Sequence, residues 1–275
     1  TMAESFLMER PLTVRMNLSL ASREEIFGSL ESQGVKVKES GFAEDVIFLS
    51  QVDYLESLDA FLDGWLQVQD LSSSLAGDAA GVHEGDYVID VCGAPGGKSL
   101  HIAQLLHGTG MVEVRDLTEK KIALVEDNIW RSGFSNIEAR VQDATEFDQS
   151  SEEKADLLIA DLPCSGLGII GRKPDIRYNI TEEQTRDLAR LQREILSVVW
   201  RYVKPGGTMV FSTCTVNPAE NEENIRWILS QLPFEPVDLT GRIGDALAQT
   251  LLEDTRKKGY IQPVSYTHLT LPTTL

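Results

Sequence analysis

Tyr87-Val-Ile-Asp-Val-Cys-Gly-Ala-Pro-Gly-Gly-Lys-Ser99 decides how this chain folds. An apolar run ends in an aspartate, a glycine-rich turn follows, and helix-forming residues continue to Leu106. Strand, turn and helix in that order open a parallel sheet flanked by helices. The same alternation continues downstream. Met111-Val-Glu-Val114 is a second strand ending at Asp116, and Thr118 starts a helix to about Arg131. Ile137 to Val141 is a third strand, followed by Asp143, and Asp156-Leu-Leu-Ile-Ala160 is a buried fourth. Thr181 with Gln184 forms a capping box for a long helix to about Val203. Lys204-Pro-Gly-Gly207 reads as a turn into a fifth strand, Thr208-Met-Val-Phe211. Asn217-Pro218 caps a helix to about Gln231, with proline at its first position. Phe234 to Leu239 could add a sixth strand.

Upstream, residues 1–75 read as a small α+β unit. Leu12-Thr-Val-Arg-Met16, Val35-Lys-Val-Lys38 and Val46-Ile-Phe-Leu49 have strand character. Ser22 and Glu25 form a capping box for a helix to about Gln33. The expected organisation is this unit at 1–75, an α/β unit at 76–263, and a tail at 264–275. That tail is uncharged and threonine-rich, unlike the rest, and reads as foreign sequence replacing the natural end.

Glycines let the backbone approach a ligand closely, and a helix N-terminus offers free N–H groups. Ligands of open α/β sheets bind outside the carboxyl ends of the strands. The turn Cys92, Gly93, Ala94, Pro95, Gly96, Gly97 and Lys98 is therefore a candidate site for a cofactor carrying a carboxylate, phosphate or ribose. Gly97-Lys98-Ser99 ends like a nucleotide-triphosphate loop, but the first glycine of that motif would fall on Cys92, so the spacing fails. A dinucleotide-binding Gly-x-Gly-x-x-Gly is also absent. A tight turn without a ligand is the plain rival. Asp116, at the end of the second strand, is placed to accept from two ribose hydroxyls. Asp143 is placed to contact an adenine ring, against the reading of a simple turn aspartate.

Asp161-Leu-Pro-Cys-Ser-Gly-Leu-Gly168 follows the fourth strand, and Ser212-Thr-Cys-Thr-Val216 follows the fifth. Free cysteines are usually buried and inert, and Cys92 is assigned that role. Cys164 and Cys214 instead stand where active-site loops gather. Carbon 5 of cytosine is a poor nucleophile. Thiolate addition to carbon 6 makes it enamine-like, which is covalent catalysis by an activated cysteine. Asp161 could hydrogen-bond the ring nitrogen or exocyclic amine of the adduct. The base must leave any stack to be reached from its face.

The chain has 275 residues, 42% hydrophobic and 25% charged, ample for a sizeable core. Its formal net charge of −18 counts against a nucleic-acid partner, unless a local basic cluster supplies the contact. Arg172, Lys173 and Arg177, directly after the Pro-Cys loop, are the candidates for meeting RNA phosphates. Arg186, Arg190 and Arg193 read as a solvated helix face paired with acids. No apolar run approaches a membrane span, and Thr1 to Pro11 lacks a signal-peptide pattern. Three cysteines without regular spacing argue against a disulfide framework or a zinc site. A reducing, cytoplasmic compartment fits.

With Gln69-Asp-Leu-Ser-Ser73, Asp90–Lys98, Asp161–Gly168, Lys173-Pro-Asp-Ile176, and Ser212–Thr215 with Glu220-Asn221, the chain resembles the bacterial 16S ribosomal RNA cytosine-C5 methyltransferases of the RsmB/Sun type. The resemblance covers about Pro11 to Leu239. Pro-Cys-Ser-Gly together with Thr-Cys-Thr is its specific part. A DNA cytosine methyltransferase is disfavoured, since no Glu-Asn-Val is present and the second cysteine has no place there. The resemblance implies a Rossmann-like class I methyltransferase sheet preceded by a small RNA-binding unit. It implies S-adenosylmethionine as methyl donor and 16S ribosomal RNA as partner, with no metal and no membrane, in a monomer. It implies Cys214 as nucleophile and Cys164 as the residue assisting product release. The cofactor would lie on Cys92 to Lys98 with Asp116, Asp143 and Asp161. Gly93 departs from the alanine usual in this family. The upstream helical domain and the C-terminal Asp-Gly-Phe-Phe strand of the family are not found. The sequence therefore reads as a fragment, with the edge beside the fifth strand unpaired. An inactive RNA-binding remnant is the alternative.

Overall fold

A computed structural model describes residues 11–245, 251, 253–262 and 273–274. The N-terminal part builds an antiparallel sheet from β1 (Leu12–Met16), β2 (Lys36–Glu39), β3 (Val46–Ser50) and β4 (Leu66–Val68), in the order β2-β3-β1-β4. Helix α1 (Arg23–Ser32) starts at Ser22, whose side chain forms the expected capping box with Glu25. Ile26 and Leu30 of α1 pack against Val14, Met16, Ile47 and Leu49. Alternate residues of β1, Thr13 and Arg15, are buried too. Adjacent side chains of a strand point to opposite faces, so both faces of β1 are covered.

The second sheet runs β10-β9-β8-β5-β6-β7. Its members are β5 (Tyr87–Asp90), β6 (Met111–Asp116), β7 (Ile137–Val141), β8 (Ala155–Asp161), β9 (Val203–Ser212) and β10 (Thr273–Thr274). Strands β5 to β9 pair in parallel. Successive residues of β8 divide between two cores, as the two-residue period requires. Leu158 and Ala160 pack with α5 (Glu182–Val199) and α6 (Glu222–Gln231) through Ile195, Leu196 and Ile228. Leu157 and Ile159 pack with α3 (Gly97–Leu105) and α4 (Glu119–Ser132) through Leu100, Ile102 and Val125. From β5 the chain first moves toward β6 and β7, then returns to β8 and β9 on the other side. The glycine turn thus leaves the sheet at the point where strand order reverses, where open α/β sheets hold their ligands.

Helix α2 (Leu71–Ala80) runs between the two sheets, across positions 75 and 76. Arg15 is buried there: its Nε donates to Gln69 Oε1 at 2.8 Å, and a terminal nitrogen donates to Gln104 of α3. Arg131 of α4 donates to the carbonyl of Leu66 at 2.8 Å, and Asn17 donates to that of Ser132 at 3.0 Å. These bonds set the small sheet over the strand ends described below.

Four expectations need correction. Lys204–Gly207 is not a free turn but lies inside β9, where the pairing jumps from Ala155↔Val203 to Leu157↔Thr208. Gly206, with φ +81°, absorbs the extra length of this bulge. The helix after Asn217 is broken into a single turn, Pro218–Glu220, and α6, although Asn217 does accept from the Ala219 amide at 3.2 Å. Phe234–Leu239 is not a strand. Its apolar end, Leu239, instead packs with Ile243, Leu251 and Ile261 on Leu71, Leu75 and Ala79 of α2 and on Val46. The edge of β9 is paired rather than open, because Thr273 and Thr274 lie antiparallel to Phe211 and Val210. The expectations for residues 1–10, 264–272 and 275 lie outside the described residues.

Candidate active site

The parallel strands end side by side, and their last residues carry the chemistry. Register places Asp161 opposite Ser212 and Asp90 opposite Ile159. The loops after β8 and β9 therefore start as neighbours, and they bring Cys164 Sγ to 3.1 Å from Cys214 Sγ. Both thiols are free. The Cys214 amide also donates to Cys164 Sγ at 3.2 Å. At this distance the thiol of one cysteine donates its S–H to the sulfur of the other. The bond from Cys164 holds the Cys214 thiol below its ordinary range, aided by the nearby Lys98 charge, against burial and the Asp161 charge. Sharing the proton with Cys214, together with burial, pushes Cys164 up. Cys214 is exposed to solvent, so a depressed thiol there is also an accessible one.

Lys98 joins this pair to the glycine turn. Its Nζ donates to Asp161 Oδ2 at 2.7 Å and to Ser73 Oγ at 3.0 Å. Burial opposes the charge, but the Asp161 carboxylate outweighs it and keeps the ammonium raised. Asp161 Oδ1 accepts from Ser212 Oγ at 2.5 Å, so the carboxylate bridges β9 and α3. Ser73 is not among the expected site residues. The signal for it is the polar Gln69–Ser73 run just ahead of the first parallel strand.

The turn itself is built around two carboxyl groups. Asp90, fully buried, accepts from Ser99 Oγ at 2.5 Å. Burial pushes its carboxyl up to about 7, against the Ser99 bond. Asp116, also buried, accepts from the Ala94 amide at 3.1 Å, the Leu117 amide at 2.7 Å and Lys121 Nζ at 2.8 Å. Gly96 has φ +104° and caps α3, a conformation open to glycine and strained for other residues. A Cβ on Gly93 would stand 2.5 Å from Val114 Cγ1 and 2.9 Å from the Asp90 carboxyl carbon. Burial, with Asp90, Asp116 and Asp161 around it, pushes the Cys92 thiol far up.

A cleft of about 370 Å³ lies between the turn and the small sheet. Its walls include Gln69, Asp70, Asp90, Gly97, Lys98, Asp161 and Lys173. Asp143 does not line it. One Asp143 oxygen accepts from the amide of Thr145 at 2.8 Å and from its hydroxyl at 2.6 Å. Arg172 lines the cleft, but its guanidinium is paired with Asp70 and reaches Thr13 Oγ1 at 3.4 Å. Lys173 is exposed on the same rim. The side chain of Arg177 lies outside what the structure describes. Arg186 and Arg190 pair with Glu182 and Asp187 of their own helix, as a solvated face does. Arg193 is different, since its Nε donates to Asn224 Oδ1 at 2.8 Å across to α6.

Residues 80–250 match the family model for the 16S rRNA methyltransferase RsmB/F. That stretch holds the five parallel strands, the glycine turn and both cysteine loops. The chain belongs to this RsmB/F family. It is 37% identical over 226 residues to the probable ribosomal RNA small subunit methyltransferase B of Bacillus subtilis, covering 82% of this chain and 50% of that one. It is 33% identical to the ribosomal RNA small subunit methyltransferase B of Salmonella paratyphi B, covering 84% of this chain and 54% of that one. The chain thus spans about half the length of the curated relatives it matches. The crystal structure of a methyltransferase homolog protein from Pyrococcus horikoshii superposes with a TM-score of 0.73 at 26% identity, over 89% of this chain and 81% of that one. The Rossmann-like methyltransferase sheet expected of an RsmB/F member is the one described above. No described helix is long and apolar enough to cross a membrane, and no group of three metal-ligating side chains is found among the described residues.

Proposed function

We propose that this RsmB/F chain transfers a methyl group to carbon 5 of a cytosine in 16S ribosomal RNA. The observation that carries this reading is the 3.1 Å approach of the two sulfurs at the strand ends that also bear the glycine turn. S-adenosylmethionine, when bound, supplies an electrophilic methyl group on a sulfonium. The residues present fit such a donor. Gly97 lines the cleft, and the position its Cβ would take is open space, which leaves room for a ligand against the first turn of α3. Gly93, Ala94, Pro95, Gly97, Lys98 and Asp161 line the cleft and would hold it; of the other expected contacts, Cys92, Gly96, Asp116 and Asp143 do not line the cleft.

In this reading the Cys214 thiolate adds to carbon 6 of the cytosine, and the ring electrons move to carbon 5. Asp161, fixed by Lys98 and Ser212, hydrogen-bonds the ring nitrogen or the amine of the adduct. After methylation carbon 5 loses its proton to a base, the carbon–sulfur bond breaks, and the electron pair returns to Cys214. Cys164 stands within reach of the departing sulfur and assists that release. The unit at residues 1–75 and Arg172, Lys173 and Arg177 are read as RNA contacts, with Lys173 the freest of the described pair. The protein is read as a cytoplasmic monomer working without a metal.

Incubating the protein with 16S ribosomal RNA and S-adenosylmethionine, then mapping bisulfite-resistant cytosines, tests the reading. One new resistant cytosine is expected. RNA binding without any new resistant site would leave a fold that binds but does not turn over.

A further inference from the structure

Glu220 has no part in the chemistry above, yet it is fully buried beside the cysteine loops, where its described partners are all uncharged. Burying a carboxylate is costly unless hydrogen bonds satisfy it. Both oxygens are satisfied, and the donors come from the two cysteine loops. Glu220 Oε1 accepts from the Ser165 amide at 2.8 Å, and Oε2 accepts from Ser165 Oγ at 2.6 Å. Thr215 Oγ1 stands 2.7 Å from Ser165 Oγ and 3.4 Å from Oε2, and Asn217 Nδ2 donates to Oε2 at 3.0 Å. Ser165 is the residue after Cys164, and Thr215 the residue after Cys214. One carboxylate thus grips the successor of each cysteine. Gln192 holds the same knot from α5, donating to the Pro163 carbonyl at 2.8 Å on the other side of Cys164.

We propose that Glu220 is the positioning residue of the cysteine pair: by tying residue 165 to residue 215 it sets the separation at which the two sulfurs share a proton. The inference deepens the reading of Cys164 and Cys214 as a working pair and rests on it for its importance, but its test does not need methyl transfer. Cys214 is faced by the Cys164 thiol, Lys98 and Asp161. If the Glu220 knot loosens, the bond from Cys164 weakens and the depression of the Cys214 thiol is lost.

The experiment is alkylation of the full chain by iodoacetamide across pH, without RNA or cofactor, with each cysteine read separately by mass spectrometry. Wild type should alkylate faster at Cys214 than at Cys164 near neutral pH. In Glu220→Gln, which keeps shape but replaces one acceptor by a donor, the Cys214 profile should move up by about one pH unit. Below both midpoints that shift means an approximately tenfold slower reaction, since the thiolate is the nucleophile. Glu220→Asp, too short to span both loops, should shift the profile in the same direction. Cys92, outside the knot, should not change. A Glu220→Gln protein that melts like wild type and keeps the wild-type Cys214 profile overturns the proposal. If that variant does not fold, Ser165→Ala, which removes the bridging hydroxyl alone, decides instead: a raised Cys214 profile supports the proposal and an unchanged one overturns it. Methyl transfer by wild type can fail independently of either outcome, so the two readings stand or fall separately.

Discussion

Two strand-end loops of one sheet each hold a cysteine, and the cysteines end up as opposites. Cys92 follows β5 in the glycine turn, and Cys214 follows β9. Around Cys92 stand three carboxyl groups, Asp90, Asp116 and Asp161, in a half-buried setting, and each disfavours a thiolate. Around Cys214 stand the Cys164 thiol and the Lys98 ammonium, which favour one. Both sulfurs feel Asp161; what differs is that burial and two further carboxyl groups act on Cys92, whereas the Cys164 bond and the Lys98 charge act on Cys214. A cysteine's reactivity is thus a property of the charges and donors placed around it, not of the loop type that carries it.

The strongest way to break this contrast is to exchange the sulfur that matters. Cys214→Ser should lower methyl transfer by about 10³-fold or more, as removal of a nucleophile does. Cys92→Ser should retain transfer, with tritiated methyl incorporation into RNA as the measurement. Cys164→Ser should leave a covalent protein–RNA band on a denaturing gel. Turnover without such a band would reverse the roles of the two cysteines.

Lys98→Met removes the ammonium that joins Asp161 to the glycine turn and acts on Cys214. It leaves Asp161 without its cation and Cys214 without its nearby ammonium. A loss of about 10²-fold in transfer is expected, the size seen when a placed electrostatic group is removed. The alkylation profile of Cys214 should move to higher pH while that of Cys92 stays high. An unchanged Cys214 profile would show that Cys164 alone depresses it.

The turn region is sharpened by Gly93→Ala. A Cβ there meets Val114 and the Asp90 carboxyl, and overpacking of this kind costs about 1–3 kcal/mol. Thermal unfolding should report a lower midpoint. An unaltered midpoint would mean that Val114 moves aside without strain.

A pH dependence comes from two buried carboxyl groups, Asp78 of α2 in the seam between the sheets and Asp90 in the turn. Burial, with the Asp45 charge, pushes the Asp78 carboxyl up to about 7, and burial does the same for Asp90. In an unfolded chain an aspartate titrates near ~4. Between about 4 and about 7 the folded chain binds protons that the unfolded chain has released, so stability falls as pH rises through that window. Buried His101, 3.7 Å from Asp78 Oδ1 and held well below the usual imidazole range by burial, acts in the opposite sense, because the unfolded imidazole binds a proton that the folded one does not. Asp78→Asn removes one proton-binding carboxyl from the folded chain, so its urea midpoint should rise more, or fall less, from pH 5 to pH 8 than that of wild type. A midpoint difference identical in Asp78→Asn and wild type would assign the slope to other groups.

The smallest effect separates the two basic rim residues. Lys173→Ala should weaken RNA binding uniformly and reduce the salt slope by about 1, as loss of one phosphate contact does. Arg172→Ala should act on the seam with Asp70 and Thr13 first. Filter binding at two salt concentrations distinguishes them, and equal slopes would show that Arg172 also reaches RNA.

Periodicity and caps are enough to place β1, the parallel strands and the capped helices α1, α4 and α5, because those signals are local. The glycine turn and the two loops that bring Cys164 and Cys214 together are recognisable from their positions at strand ends. Lys204–Gly207 reads wrongly as a turn because a proline and two glycines mark a turn and a bulge alike, and only pairing with β8 separates them. Phe234–Leu239 reads wrongly as a strand because a short apolar run serves a strand and a loop docking on α2 equally well.

The order of strands and helices, the two cysteine loops and the family follow from the residues alone, since periodicity, caps and motifs are written in neighbouring positions. It took the folded chain to reveal that Arg172 is engaged with Asp70, that Ser73 holds Lys98, and that Glu220 ties residue 165 to residue 215. Those partners lie tens to more than a hundred positions apart along the chain, and nothing short of the folded sheet brings them within a hydrogen bond of each other.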